Sequence, residues 1–135
     1  MRVAGLAERD QFLRYARIEF VTGGPGTATL RMHVGAQHIN FNGTCHGGAL
    51  FTLADSAFGL ACNSYGILAA AIDGHVTFHH AVREGDVLRA CAVEVSKSKR
   101  VGVYRVEVKR ERDDALVSAF TGTAFITDKP NDQAV

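Results

Sequence analysis

The stretch CHGGALFTLAD, residues 45–55, opens with a cysteine, a histidine and two glycines and closes on an aspartate. Asp55 is the only formally charged side chain between Arg31 and Asp73. No Lys or Arg lies within a helical turn of it. A buried carboxylate without a partner carries a heavy desolvation cost or takes up a proton. Two readings of Asp55 follow: a helix carboxylate satisfied by a hydroxyl or backbone N–H, or a group kept for chemistry as base or nucleophile. Gly47 and Gly48 stand where a helix would begin. Glycine there either eases the entry turn or leaves first-turn N–H groups open to an oxygen that bears negative charge, which is the geometry of an oxyanion hole. The two features are eight residues apart, or roughly 12 Å along one helix. They can serve one reaction only if Asp55 comes from one subunit and Gly47 from another, as in two helices antiparallel about a two-fold axis.

Other groups give weaker signals. Cys45 beside His46 is a poor nucleophile–base pair, since adjacent residues seldom aim at each other. His75, Thr77 and His79 would share one strand face, with His80 on the other. No further ligand spacing accompanies them, so no metal site is expected. The run SKSKR, residues 96–100, is either a solvated hairpin or a grip on phosphates through Lys99 and Arg100. Phe51, Phe58 and Tyr65 either line an aromatic pocket or belong to the core.

The elements that must position these groups are legible by periodicity. AERDQFLRYARIEF reads as a short amphipathic helix, and TGGPG (Thr22 to Gly26) as a turn. TATLRMHV alternates as a strand covered on one face. Asn42, Gly43 and Thr44 are candidate helix starts. From about His46 to Ser64 the chain has helical length, no proline and apolar residues on nearly every side, which predicts a buried helix, with Gly66 as C-cap. AAAIDGHVTFHHAV, DVLRACAVEVS, VGVYRVEVKRE and ALVSAFTGTAFIT then read as four strands. The expected architecture is an α+β domain over residues 1–135, ordered strand, buried helix, strands, with a loose tail from about residue 128.

Composition narrows the function classes. Of 135 residues 47% are hydrophobic and 21% charged, with a net charge of +1. That balance gives no general attraction to nucleic acid or to anionic membranes. The most apolar run is interrupted by Thr52, Asp55 and Ser56 and is too short to span a bilayer. Three cysteines without zinc-like spacing, and an N-terminus without the apolar core of a signal peptide, lead to the expectation of a cytoplasmic protein.

NFNGTCHGGALFTLADSAFGLACNSYG resembles the signature region of hotdog-fold acyl-CoA thioesterases of the PaaI (phenylacetic acid degradation) type. The likeness continues into VREGDVLRACAVEVSKSKRVGVYRVEV. The resemblance implies a curved antiparallel sheet wrapped around one long helix. It also implies a homo-oligomer, a dimer with shared sites paired into a tetramer, that hydrolyses acyl-CoA to free acid and CoA with no separate cofactor. Phenylacetyl-CoA or hydroxyphenylacetyl-CoA is the substrate it suggests, with medium-chain aliphatic acyl-CoA as the competitor. By the same resemblance Asp55 is the catalytic carboxylate and Gly47 the backbone donor to the thioester carbonyl. Asn40 orients the reacting groups, His46 belongs to the motif, and Ser56 is the hydroxyl beside the acid. Gly48 and Phe51 are taken as substrate contacts. One departure is visible: many relatives carry Arg–Pro after the strand that follows the helix, whereas this chain reads TFHHAVREGD. Either Arg83 supplies the charge from a shifted position, with Lys99 and Arg100, toward the CoA phosphates, or those phosphates are held elsewhere. A non-catalytic acyl-CoA-binding module, a hydratase and a scaffold are the rivals. Free CoA released without hydration product separates them.

Overall fold

The computed structural model describes residues 2–132. In chain order it contains helices α1 (Arg2–Arg9) and α2 (Gln11–Ala16), strands β1 (Ile18–Gly24) and β2 (Thr27–His33), and a 3-10 turn (Ala36–His38). Helix α3 (Gly47–Cys62) follows, then strands β3 (Ile67–Phe78), β4 (Val87–Lys97), β5 (Val101–Arg110) and β6 (Ala115–Pro130). The strands form one antiparallel sheet in the order β1-β2-β4-β5-β6-β3. This is the α+β hotdog arrangement, a sheet wrapped on one long helix.

Period-two alternation builds the core. Leu30 and Met32 of β2, Leu88, Ala90 and Ala92 of β4, Tyr104, Val106 and Val108 of β5, and Phe120 and Ala124 of β6 are buried. Leu50, Leu53, Ala54, Ala57, Phe58 and Ala61 of α3 are buried with them in one cluster. Each fully buried Leu, Val or Phe contributes roughly 1.5–3 kcal/mol, and this cluster holds α3 rigidly against the sheet.

Five expectations from the sequence need correction. The N-terminal segment is two helices and a strand, not one helix: Asp10 caps α2 through Phe12 and Leu13 N–H. Arg17 then turns left-handed (φ 59°) and residues 18–24 pair with β2. Two strands therefore precede α3. That helix is capped by His46 rather than by residues 42–44, and it ends at Asn63 rather than Gly66. The Asn63 amide donates to Gly59 O and Ala69 O and accepts from Ala69 N–H, so it stitches the helix end to β3. Nor is α3 covered all round: Gly48 and Phe51 are exposed, and Thr52, Asp55, Ser56 and Gly59 half-buried, along one stripe. Finally, residues 128–130 belong to β6, and Asn131 is tied to Gly66 O, Asn63 O and Ile67 O. The rest of the expected loose tail, residues 133–135, lies outside the described residues.

The sheet has two unlike edges. Short β1 lies under α1 and α2. At the other edge β3 pairs with β6 alone, and Ile67, Leu68, Ile72 and Phe78 are exposed along it.

Candidate active site

The N-terminus of α3 is organised by His46. Its Nδ1 accepts the Gly48 N–H at 2.8 Å, while its carbonyl accepts from Ala49 N at 2.9 Å and Leu50 N at 3.2 Å. The imidazole proton therefore sits on Nε2. One first-turn amide is left without an acceptor among the described residues: that of Gly47. The helix dipole and this free donor are suited to an oxygen that gains negative charge. Gly48, expected to touch substrate, has its N–H committed to the cap. Close approach calls for glycine at Gly48, whereas at Gly47 an added carbon asks only that the exposed Phe78 ring give by a few tenths of an ångström. A Cβ on Gly48 would lie 2.9 Å from His46 Nδ1, and one on Gly47 would lie 3.3 Å from the Phe78 ring of β3.

The loop before the helix is braced. Asn40 Oδ1 accepts from Asn42 N (2.9 Å), Thr44 N (3.1 Å) and Thr44 Oγ1 (3.4 Å), and Asn40 N donates to Thr44 O (2.8 Å). Its oxygen is thus spent on the turn, and its Nδ2 hydrogens are the ones left for a ligand. Cys45 N donates to Val82 O and His46 N to His38 O, both at 2.7 Å. Cys45 itself is buried and burial pushes its thiol up to about 11, which removes it as a nucleophile.

Asp55 lies two turns along the same helix, on the uncovered stripe. Its carboxylate makes no hydrogen bond or ion pair among the described residues, and burial pushes its pKa up. Hydrogen bonds that would relieve an ionised Asp55 are not supplied by the described residues. Asp55 borders a cavity of about 510 Å³ with Phe51 and Ser56 beside it. Leu6, Arg9 and Phe12 of the N-terminal helices form its opposite wall. This wall was invisible in the sequence, because nothing local to α1 or α2 says that they fold over α3. A second cavity of about 750 Å³ opens at the helix entrance beside His46 and Gly48, and Phe12 and Thr52 border both.

The remaining candidates divide. Phe51 lines the Asp55 cavity, whereas Phe58 is core and the Tyr65 hydroxyl donates to Glu94 under the Lys97 ammonium. The Arg83 guanidinium and the Lys99 ammonium make no ion pair among the described residues. Arg100 is already engaged, by Ile126 O at 3.0 Å and Asp128 Oδ2 at 2.9 Å. His79 meets Thr77 and His80 meets Leu116 O. No group of residues suited to a metal ion occurs among the described residues.

A model of the thioesterase superfamily matches residues 42–117, which contain α3 and both chemical features. The acyl-coenzyme A thioesterase PaaI of Escherichia coli K12 is 36% identical over 115 residues, or 85% of this chain and 81% of that protein. The structure of the Escherichia coli PaaI protein from the phenylacetic acid degradation operon superposes with a TM-score of 0.90 at 33% identity. It covers 94% of this chain and 91% of that one. An Archaeoglobus fulgidus protein classed provisionally as an esterase is 41% identical over 100 residues, 74% of this chain and 64% of its own length. The Streptococcus mutans protein smu.793, solved with acetyl-CoA bound, matches at a TM-score of 0.80 and 26% identity, over 84% of this chain and 91% of that one. The fold and these likenesses define a thioester hydrolase of the hotdog type. The chain belongs to the thioesterase superfamily.

Proposed function

We propose that the protein is an acyl-CoA thioesterase whose two sites are shared between two copies of the chain, and whose acyl group is aromatic, of the phenylacetyl or hydroxyphenylacetyl kind. One observation carries this reading. The one first-turn amide of α3 that lacks an acceptor among the described residues, Gly47 N–H, and the one carboxylate of that helix, Asp55, likewise unpartnered among them, sit on one rigid helix about 12 Å apart. Neither can complete a site with the other of its own chain. A second copy laid antiparallel supplies the missing half twice over. The long β3 edge, unpaired on its outer side and apolar, is the surface on which such a copy would continue the sheet. Val93, Val95, Val101 and Phe125, exposed on strands β4–β6, favour further pairing of dimers into a tetramer.

In the shared site the thioester oxygen accepts from Gly47 N–H. The Asp55 carboxylate of the other copy takes a proton from water as the new C–O bond forms, or attacks the carbonyl itself to give an anhydride that water then opens. Collapse of the tetrahedral oxyanion breaks the C–S bond, and the proton ends on the CoA thiolate. Burial raises the proton affinity of Asp55, which suits a base at neutral pH. In this reading Asn40 Nδ2 and Ser56 orient water and carbonyl. No cofactor is required, since water is the only co-reactant. Aromatic rings at Phe12 and Phe51 in the Asp55 cavity support an aryl acyl group, as does the operon of the Escherichia coli relative. Acetyl-CoA in the Streptococcus mutans relative supports a CoA ester. Arg83 and Lys99, which make no ion pair among the described residues, are assigned in this reading to its phosphates. No helix among the described residues is long and apolar enough to cross a membrane. The free cysteines Cys45, Cys62 and Cys91 suit a reducing cytoplasm.

Complementation tests the shared site. Gly47 is the first helical residue and His46 before it is extended (ψ 134°), so Gly47→Pro deletes the donor and keeps the helix. Asp55→Asn and Gly47→Pro chains, each inactive alone, should regain about a quarter of wild-type thiol release when unfolded and refolded together at equal amounts. No recovery in mixed oligomers overturns the shared site. A panel of aryl and aliphatic acyl-CoAs decides the acyl group, and preference for aliphatic chains overturns the aromatic assignment.

A further inference from the structure

His38 is a buried imidazole outside the catalytic groups named above, only 5% exposed, at the end of the 3-10 turn between β2 and α3. Both ring nitrogens are engaged across the fold. Nδ1 accepts the Gly35 N–H at 3.0 Å, and Nε2 lies 2.7 Å from the carbonyl of Ala16, the last residue of α2. A carbonyl can only accept, so the ring proton is on Nε2 and the imidazole is neutral. Its main chain is equally committed. His38 N donates to Gly35 O at 3.0 Å, and His38 O accepts the His46 N–H at 2.7 Å.

We infer that His38 is a positioning residue for the Gly47 donor. The path is continuous and short. The ring pins residues 35–38 to the end of α2, and the His38 carbonyl fixes the His46 backbone. His46 then caps α3 through its ring and its own carbonyl, which leaves Gly47 N–H free and aimed. The same ring holds α2, whose Phe12 stands over the cavity of Asp55. One side chain therefore fixes a wall of one half-site and the donor of the other. Loss of it would let the 35–46 loop and the first turn of α3 drift by the fraction of an ångström that reaction geometry does not tolerate. The inference rests on the proposed thioesterase reading for its kinetic consequence, though not for its structural one.

Two variants test it. His38→Phe keeps the ring volume and deletes both polar contacts. His38→Gln retains an amide donor that can reach Ala16 O. In the folded oligomer at 25 °C, His38→Phe should lower kcat by about 30- to 100-fold with KM changed less than threefold, and His38→Gln should recover part of the loss. Hydrogen exchange should quicken about tenfold or more in residues 45–50 and stay unchanged in the second half of α3 and in β5. A merely structural histidine would lower the melting point and quicken exchange everywhere, leaving kcat per folded enzyme as it was. Unchanged exchange at residues 45–50, or kcat within threefold in both variants, overturns the inference. If the wild type released no CoA from any thioester, the thioesterase reading would fall, and exchange at residues 45–50 would still decide the role of His38.

Discussion

The two sides of α3 obey opposite rules. Toward the sheet, Leu50, Leu53, Ala54, Ala57, Phe58 and Ala61 are nearly or wholly removed from solvent, and none carries a polar side chain. On the other side, Thr52, Asp55, Ser56 and Gly59 are half-buried with Phe51 exposed, and the Asp55 carboxylate has no partner among the described residues. The packed side supplies the rigidity that lets the other side hold an unrelieved charge and a free amide at fixed positions. Stability and chemistry are thus separated by half a helical turn, and substitutions on the two sides should separate them too.

The largest effect is expected at Asp55. Asp55→Asn should reduce thiol release by at least about 1000-fold while raising the melting temperature by a few degrees, since it removes a carboxylate that burial disfavours. Steady-state kinetics and calorimetry on one preparation check both halves. Loss of activity together with loss of stability would break the contrast. Gly47→Pro comes next, with kcat lower by about 100- to 1000-fold and far-ultraviolet circular dichroism unchanged.

Leu53→Ala, on the packed side, should behave in the reverse manner. Denaturant unfolding should show a loss of about 2–5 kcal/mol, while kcat per folded enzyme stays within threefold.

A pH series sharpens the comparison further. The native chain binds the Asp55 proton more tightly than the unfolded chain, because burial raises its pKa. The associated stability is fully present below the unfolded aspartate range and is lost as pH rises to the raised native value. Over that same window kcat should rise, as the base becomes ionised. Opposite slopes of stability and activity, both abolished in Asp55→Asn, are the expected outcome. Parallel slopes would assign the titration to another group. The smallest effect is at the rim, where Arg83→Ala with Lys99→Ala should raise KM for acyl-CoA a few-fold, more at low salt, with kcat unchanged.

Much of this was legible in the linear chain. Asp55 stood out because no opposite charge lies near it, and Gly47 because it opens a proline-free helix. The eight-residue interval between them implies a second subunit if both serve one reaction, and it is visible before any coordinate. Residue patterning located five of the six strands, β2 and β4–β6 through the one buried face of each, and β3 with bounds set two residues late at its start and four at its end. Strand β1 was missed because Ile18 and Phe20 follow a helical pattern without a proline or glycine between, and only the left-handed Arg17 marks the break. The uncovered stripe was hidden for a different reason. Alanine, glycine and phenylalanine look alike in sequence whether their own sheet or another copy covers them.

What the sequence by itself determined was the chemistry available: one isolated carboxylate, one glycine-opened helix and their interval along it, all consequences of residue type and helical rise. Tertiary structure alone decided which groups remain free to act. His46 folds back onto Gly48 N–H, Asn40 spends its oxygen on a turn, Arg100 closes on Asp128, and α1 and α2 wall the cavity of Asp55. Each of these depends on hydrogen-bond direction or on contact between distant segments. Spacing along the chain carries no record of either.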